Sequence, residues 1–204
     1  MKVLINALLW ISAIVACVFI VGKLFFFEVA TIEHNAMAPT LLPGDRILIS
    51  KTGKPRPGRV TICEHPHDEG YVIGRVIATG GQKVSSKDGR IYVDDSSIYD
   101  KTGYTTDFYN SDTDETDTVE IAREEIDRIG YDVFRRPNEK AHLSTVELEP
   151  GQAYLMSDNR TYNGQDSRGF GPVDVSTCIG TSFIRVTMKK SDALSIDRGH
   201  VGKL

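Results

Sequence analysis

His34-Asn35-Ala36-Met37-Ala38-Pro39-Thr40-Leu41-Leu42-Pro43-Gly44-Asp45-Arg46-Ile47-Leu48-Ile49 is the stretch whose reading decides the fold. Its two prolines and the Gly44-Asp45 turn signal rule out a continuous helix and break the first half into turns. Arg46-Ile47-Leu48-Ile49-Ser50 then reads as a short strand. The same grammar recurs in Val60-Thr61-Ile62-Cys63, Tyr71-Val72-Ile73, Arg75-Val76-Ile77, Ile91-Tyr92-Val93, Gln152 to Met156 and Ser182 to Met188. Each run is β-branched or aromatic, and turn residues bound it. No long amphipathic helical pattern follows residue 27, so the body is expected to be mainly β.

Upstream, Val3 to Gly22 is apolar apart from Asn6 and Ser12, and Leu24-Phe25-Phe26-Phe27 continues it. That length can cross a bilayer as a helix. Lys2 and the amino terminus precede it and an acidic region follows, which predicts a cytoplasmic amino end with residues from about Glu28 outside. A cleaved signal peptide would need a shorter apolar core and a small-x-small site. Ile14-Val15-Ala16-Cys17 looks like a lipoprotein cleavage box, but Val18-Phe19-Ile20-Val21 follows it instead of a polar linker. The reading is a retained anchor in contact with lipid, with Cys17 a small apolar residue. The 204 residues leave one moderate domain beyond it, and the net charge of −4 offers no basic field for nucleic acid.

Four blocks carry a resemblance. The 34–49 segment resembles the first conserved block of the bacterial type I signal peptidases, Ser-Gly-Ser-Met-x-Pro-Thr-Leu, a turn ending in Gly-Asp, then a strand. It matches at Met37, Pro39, Thr40, Leu41, Gly44 and Asp45. Lys54 to Ile62 resembles the second block, and Tyr71 to Val84 resembles Tyr-x-Lys-Arg-Val-x-Gly-x-Pro-Gly-Asp-x-Val. Met156 to Arg160 with Asp166 to Val173 resembles the last, Gly-Asp-Asn-x, a spacer, then Asp-Ser-Arg-x-x-Gly. The resemblance implies a signal peptidase-type coiled β-sheet domain with an accessory β insertion, behind one N-terminal transmembrane helix. The expected divisions are 1–27 for the anchor, 28–96 with 151–190 for the core, 97–150 for the insertion and 191–204 for a tail. The implied location is the bacterial plasma membrane, with the domain periplasmic or extracellular and signal peptides or preproteins as partners.

The chemistry of that family is missing from these blocks. There a serine hydroxyl attacks the peptide carbonyl, and a lysine kept neutral by desolvation takes its proton. Here the nucleophile position is Ala36, the base position is Gly74, and the position of the oxyanion-hole serine is His34. The spacer serine that orients the lysine falls near Asn163-Gly164, where the chain is one residue longer than the pattern. Members of a catalytic unit fail together, which predicts a non-catalytic homologue that binds hydrophobic or signal-type peptides. The alternative is a working peptidase with His34 as base and Ser157 or Ser50 as nucleophile. Met37, Pro39 and Ile73 are the expected peptide contacts. Asp158, Asn159, Asp166, Ser167 and Arg168 are expected to hold the groove together: Asp158-Asn159 in a turn, and Asp166 with Arg168 as a bidentate pair near the groove floor.

Residues 97–150 shift in composition. Asp112, Asp114, Glu115 and Asp117 lie in a Thr/Ser-rich stretch that reads as a solvated loop, without the glycine and terminal glutamate of an EF-hand. His65-Pro66-His67, between Glu64 and Asp68, suits a turn, and no set of four metal ligands completes it. No metal and no cofactor are assigned. Cys63 and Cys178 are both placed outside by the expected topology, where a bond is permitted, but spacing does not establish that they meet.

Overall fold

The computed structural model describes residues 2–162, 164–186 and 201–204. Helix α1 (Lys2–Phe26) contains the apolar window Ile5–Gly22, none of it buried by the rest of the chain. It is long and apolar enough to cross a membrane. The chain then runs directly into β1 (Phe27–Thr31).

After a single 3-10 turn at Asn35–Met37 come β2 (Arg46–Ser50), β3 (Val60–Glu64), β4 (Tyr71–Thr79), β5 (Lys83–Lys87), β6 (Arg90–Val93) and β7 (Ser96–Ser97). The middle of the chain supplies β8 (Tyr99–Asn110), β9 (Glu115–Ile126), β10 (Ile129–Arg135) and β11 (Val146–Glu147). The last part supplies β12 (Gln152–Met156), the short helix α2 (Ser167–Phe170), β13 (Val173–Asp174), β14 (Cys178–Val186) and β15 (Val201–Lys203). The protein is mainly β, as the strand grammar predicts.

An eight-stranded sheet ordered β1-β2-β14-β3-β4-β12-β13, with β15 on β14, forms the body. β14 sits between β2 and β3, with register shifts at Ser182/Ile184 against β2 and at Cys178/Gly180 against β3. A Cβ at Gly180 would meet the Ser50 carbonyl oxygen at 2.3 Å, so the close approach of these strands needs glycine. Cys63 pairs in register with Cys178, and the two are joined by a disulfide between β3 and β14.

A three-stranded sheet (β8, β9, β10) and a four-stranded sheet (β11, β5, β6, β7) complete the molecule. Ile77, Tyr154 and Met156 of the body share one apolar cluster with Ile91, Ala122 and Val133 of these sheets. A second cluster gathers Ile32, Met37, Leu41, Ile47, Ile49 and Val60 under the first motif block. A third packs Phe108, Val119, Ile121 and Phe134 against Ala38 and Leu42. The three-stranded sheet is therefore seated on the segment just after Ala36.

The acidic stretch departs from the loop reading. It is the end of a β-hairpin: turn residues 111–114 separate β8 from β9, and Asp114 takes the left-handed conformation (φ 58°). Alternation explains it, since Phe108, Val119 and Ile121 bury one face while the Thr and Asp residues between them face water. Tyr71–Ile73 and Arg75–Ile77 are one strand, not two, and β14 starts at Cys178, before the expected Ser182. The expected strand end at Thr187-Met188, the spacer residue Asn163 and tail residues 191–200 lie outside the described residues.

Candidate functional site

The segment that carries Ala36 is held by its backbone. Ala36, 3% exposed, accepts a hydrogen bond on its carbonyl from the Asn159 amide at 2.9 Å. The Asn35 amide donates to Asp112 Oδ2 at 2.8 Å, and Asn35 Nδ2 donates to Asn110 Oδ1 and Ser111 Oγ. Tyr162 donates its hydroxyl to the same Asp112 carboxylate at 2.5 Å. The hairpin tip and the last block thus grip residues 35 and 36 from two sides. Composition carried a turn signal around Asp112, but nothing in it pointed to Asn35.

Behind this segment lies a buried ion pair. Arg75 Nε donates to Asp158 Oδ1 at 2.8 Å and Nη2 to Oδ2 at 2.6 Å, a bidentate fork, while Nη1 donates to the Gly58 carbonyl. The guanidinium carbon sits 4.0 Å from the centroid of the Tyr131 ring, and Thr40 Oγ1 donates to Asp158 Oδ2 at 2.5 Å. Burial works to lower the Arg75 pKa, but the Asp158 carboxylate outweighs it and the net shift is upward. Asn159 Oδ1 accepts from the Thr161 amide and hydroxyl, the turn expected for Asp158-Asn159.

Gly74, next to this arginine, has no room above it. A Cβ built there would stand 2.9 Å from Leu155 Cβ, with the Met156 backbone at 3.5–3.6 Å. Strands β4 and β12 therefore run closer at this point than a side chain permits.

Beside the 3-10 turn is a groove of about 380 Å³ with Ala30, Ile32, His34, Ile49, Tyr71 and Ile73 in its walls. Of the expected peptide contacts Ile73 lines it, whereas Met37 and Pro39 are buried and do not. Exposed His34 contributes one wall. Ser157 Oγ is buried without a partner and Ser50 Oγ lies 3.3 Å from Thr52 Oγ1, so neither serine bonds to His34.

The Asp166–Arg168 pair forms, with Arg168 Nη2 at 2.7 Å and Nε at 2.8 Å from the carboxylate. It stands away from the groove floor: Asp166 caps α2 and accepts from the Ser157 amide, while Arg168 donates to the Arg160 and Tyr162 carbonyls. Ser167 Oγ accepts from the Leu155 amide. These residues tie the last block to β12. His65 Nδ1 accepts from the His67 and Asp68 amides, and His67 Nε2 lies 3.1 Å from the Phe170 carbonyl oxygen, which makes the histidines part of a turn.

Residues 4–187 match the family model described as Signal peptidase, peptidase S26. The chain belongs to the signal peptidase family. It is similar to Signal peptidase I of Bacillus licheniformis, 24% identical over 85% of this chain and 84% of that protein. Signal peptidase IB of Staphylococcus aureus is 28% identical over 90% of each chain, and Signal peptidase I T of Bacillus subtilis is 26% identical over 85% of this chain and 81% of that protein. The likeness spans at least four fifths of each of these relatives. A mainly β body behind one apolar N-terminal helix fits the signal peptidase family as its four blocks predict.

Proposed function

We propose that the protein is a non-catalytic signal peptidase homologue, a pseudoenzyme, that binds extended hydrophobic or signal-type peptides in the groove beside residues 32–34. The observation that carries this reading is the pairing of Ala36 at the nucleophile position with Gly74 at the base position. Neither supplies a proton-transfer or attacking group. Packing supports it, because Leu155 fills the space that a lysine side chain at 74 would have to leave through.

Peptide binding has its own support. Among the described residues β1 is an edge strand that pairs only with β2, and β12 pairs with β4 from Arg75 onward, which leaves Tyr71–Ile73 without a described partner on that side. Both segments line the groove, and an extended chain laid between them can add main-chain hydrogen bonds without any catalytic side chain. Within this reading Ile73 and His34 touch the peptide, while Met37 and Pro39 support the segment from inside. Asp158, Asn159, Asp166, Ser167 and Arg168 keep the structural role expected of them.

Under the same reading α1 anchors the chain with its amino end cytoplasmic and the domain on the outer side. The Cys63–Cys178 disulfide supports that orientation, since such bonds persist in oxidising compartments. Residues 1–27 serve as anchor, 28–96 with 151–190 as core, 97–150 as insertion and 191–204 as tail. The alternative active enzyme would need a serine within reach of His34, and no hydrogen bond joins His34 to Ser157 or Ser50.

The test is the full chain in detergent, given a preprotein and, separately, fluorescent Ala-x-Ala peptides. Peptide binding without cleavage, lost on Ile73→Arg, is expected. Hydrolysis that disappears on changing His34 or Ser157 would overturn the non-catalytic reading. No peptide binding at up to about 1 mM, near −4 kcal/mol, would remove the groove as a receptor.

A further inference from the structure

A second cavity, of about 320 Å³, lies where β6, β8, β9 and the 139–143 segment meet Met156 and Arg160, and it is separate from the peptide groove. Arg160 is only 6% exposed. Its Nη2 donates to Glu124, which also accepts from the Tyr131 hydroxyl, but its Nε and Nη1 have no partner. A guanidinium is a donor only, and unsatisfied buried donors of a charged group are costly. Arg168 and Lys140 stand in the same lining, so both signs of charge face the cavity. One acceptor is also unsatisfied: Glu139, another lining residue, keeps a buried Oε2 without a partner. Ile91, Leu143 and Met156 supply an apolar part of the wall, beside the polar Arg90, Arg135 and His142.

We propose that this cavity is a binding site for a small amino acid-like zwitterion, whose carboxylate accepts from Arg160 and whose ammonium donates to Glu139. An inorganic anion would satisfy only the arginine, and a simple amine only the glutamate. A ligand with both groups satisfies the two orphaned sites together, and its side chain rests on the apolar wall. The volume suits a single amino acid with a side chain. The two ends of the site come from different parts of the chain, Arg160 from the last motif block and Glu139 from the insertion. An occupied site therefore joins the insertion to the body.

The experiment uses the full chain in detergent with three probes of one shape: L-phenylalanine, 3-phenylpropionate, which lacks the amine, and phenethylamine, which lacks the carboxylate. Thermal unfolding and titration calorimetry are read for each, because a ligand held by the folded state raises its melting temperature. L-phenylalanine is expected to bind and stabilise, 3-phenylpropionate to bind about tenfold more weakly, and phenethylamine to show no saturation, as loss of a charged hydrogen bond implies. Arg160→Lys should abolish binding. Since that change also disturbs Glu124, Leu143→Trp provides the second arm: it fills the cavity from the 139–143 segment, leaves the Arg160–Glu124 pair intact, and should weaken L-phenylalanine at least tenfold. The assignment is overturned if nothing saturates by about 10 mM. It is equally overturned if either single-group probe matches L-phenylalanine, or if Leu143→Trp leaves binding unchanged.

Discussion

Gly74→Ala should destabilise the protein, although alanine is ordinarily the better strand residue. The backbone at 74 is not in the left-handed region, so on conformational entropy alone the change would stabilise by about 0.5–1 kcal/mol. Against that stands the new Cβ at 2.9 Å from Leu155 Cβ. This neighbour is fixed to the backbone, so no rotamer change relieves the overlap and the two strands must part. Overpacking of this kind costs roughly 1–3 kcal/mol, which leaves a net loss of up to about 2.5 kcal/mol, centred near about 1 kcal/mol. For a domain of this size each kcal/mol moves the melting temperature by about 2–4 °C, so a fall of a few degrees is expected in thermal unfolding followed by far-UV circular dichroism. Leu155→Ala in the same background should not rescue it, because the offending Cβ stays. A rise in melting temperature on Gly74→Ala, or rescue by Leu155→Ala, would refute the reasoning. The same strain burdens any Gly74→Lys variant, so Ala36→Ser with Gly74→Lys is expected to be less stable than the parent and inactive toward a preprotein.

Asp158→Asn leaves Arg75 buried without its counter-charge and should cost about 3–5 kcal/mol in urea unfolding, whereas an exposed ion-pair change such as Asp132→Asn should stay below about 1 kcal/mol. Cys63→Ser opens a loop closed between cysteines 115 positions apart and should lower stability by about 2–5 kcal/mol, with reduction of the parent giving the same loss. Asp112→Ala removes the acceptor shared by the Asn35 amide and the Tyr162 hydroxyl; amide exchange at Asn35 should accelerate while the exchange of β3 amides stays unchanged. Burial pushes the Tyr154 hydroxyl up to about 12, with the Asp166 charge adding to it and Arg168 and Arg160 opposing. An unfolded tyrosine ionises near about 10, so stability should hold below that pH and fall as pH rises towards about 12, a slope that Tyr154→Phe should flatten.

Strands written as short, continuous apolar runs were legible. Arg46–Ser50 and Gln152–Met156 match β2 and β12 at both ends, and Val60–Cys63 and Ile91–Val93 each fall one residue short, because continuous β-branched runs between turn residues have few other structures open to them. The β8–β9 hairpin was hidden since many of its residues are Thr, Asp and Glu, and the residues that pack, Phe108, Val119, Ile121, Ala122 and Ile126, are scattered among them. Within the candidate site, aligning the motif blocks was enough to single out Ala36 and Gly74. The contacts around them could not be read that way. Asn35 meets Asp112 across 77 positions and Arg160 meets Glu124 across 36, and such pairings follow from sheet topology instead of local pattern.

The grip on residues 35 and 36 passes through a carbonyl of Ala36, an amide of Asn35 and the side chain of Asn35, and never through the side chain at 36. Shape and reactivity at this turn are therefore written in different atoms. A lineage can exchange the residue at 36 among small side chains while natural selection for the fold remains blind to the change. The scaffold of a hydrolase can thus pass to a new task without a period in which the turn itself must be rebuilt.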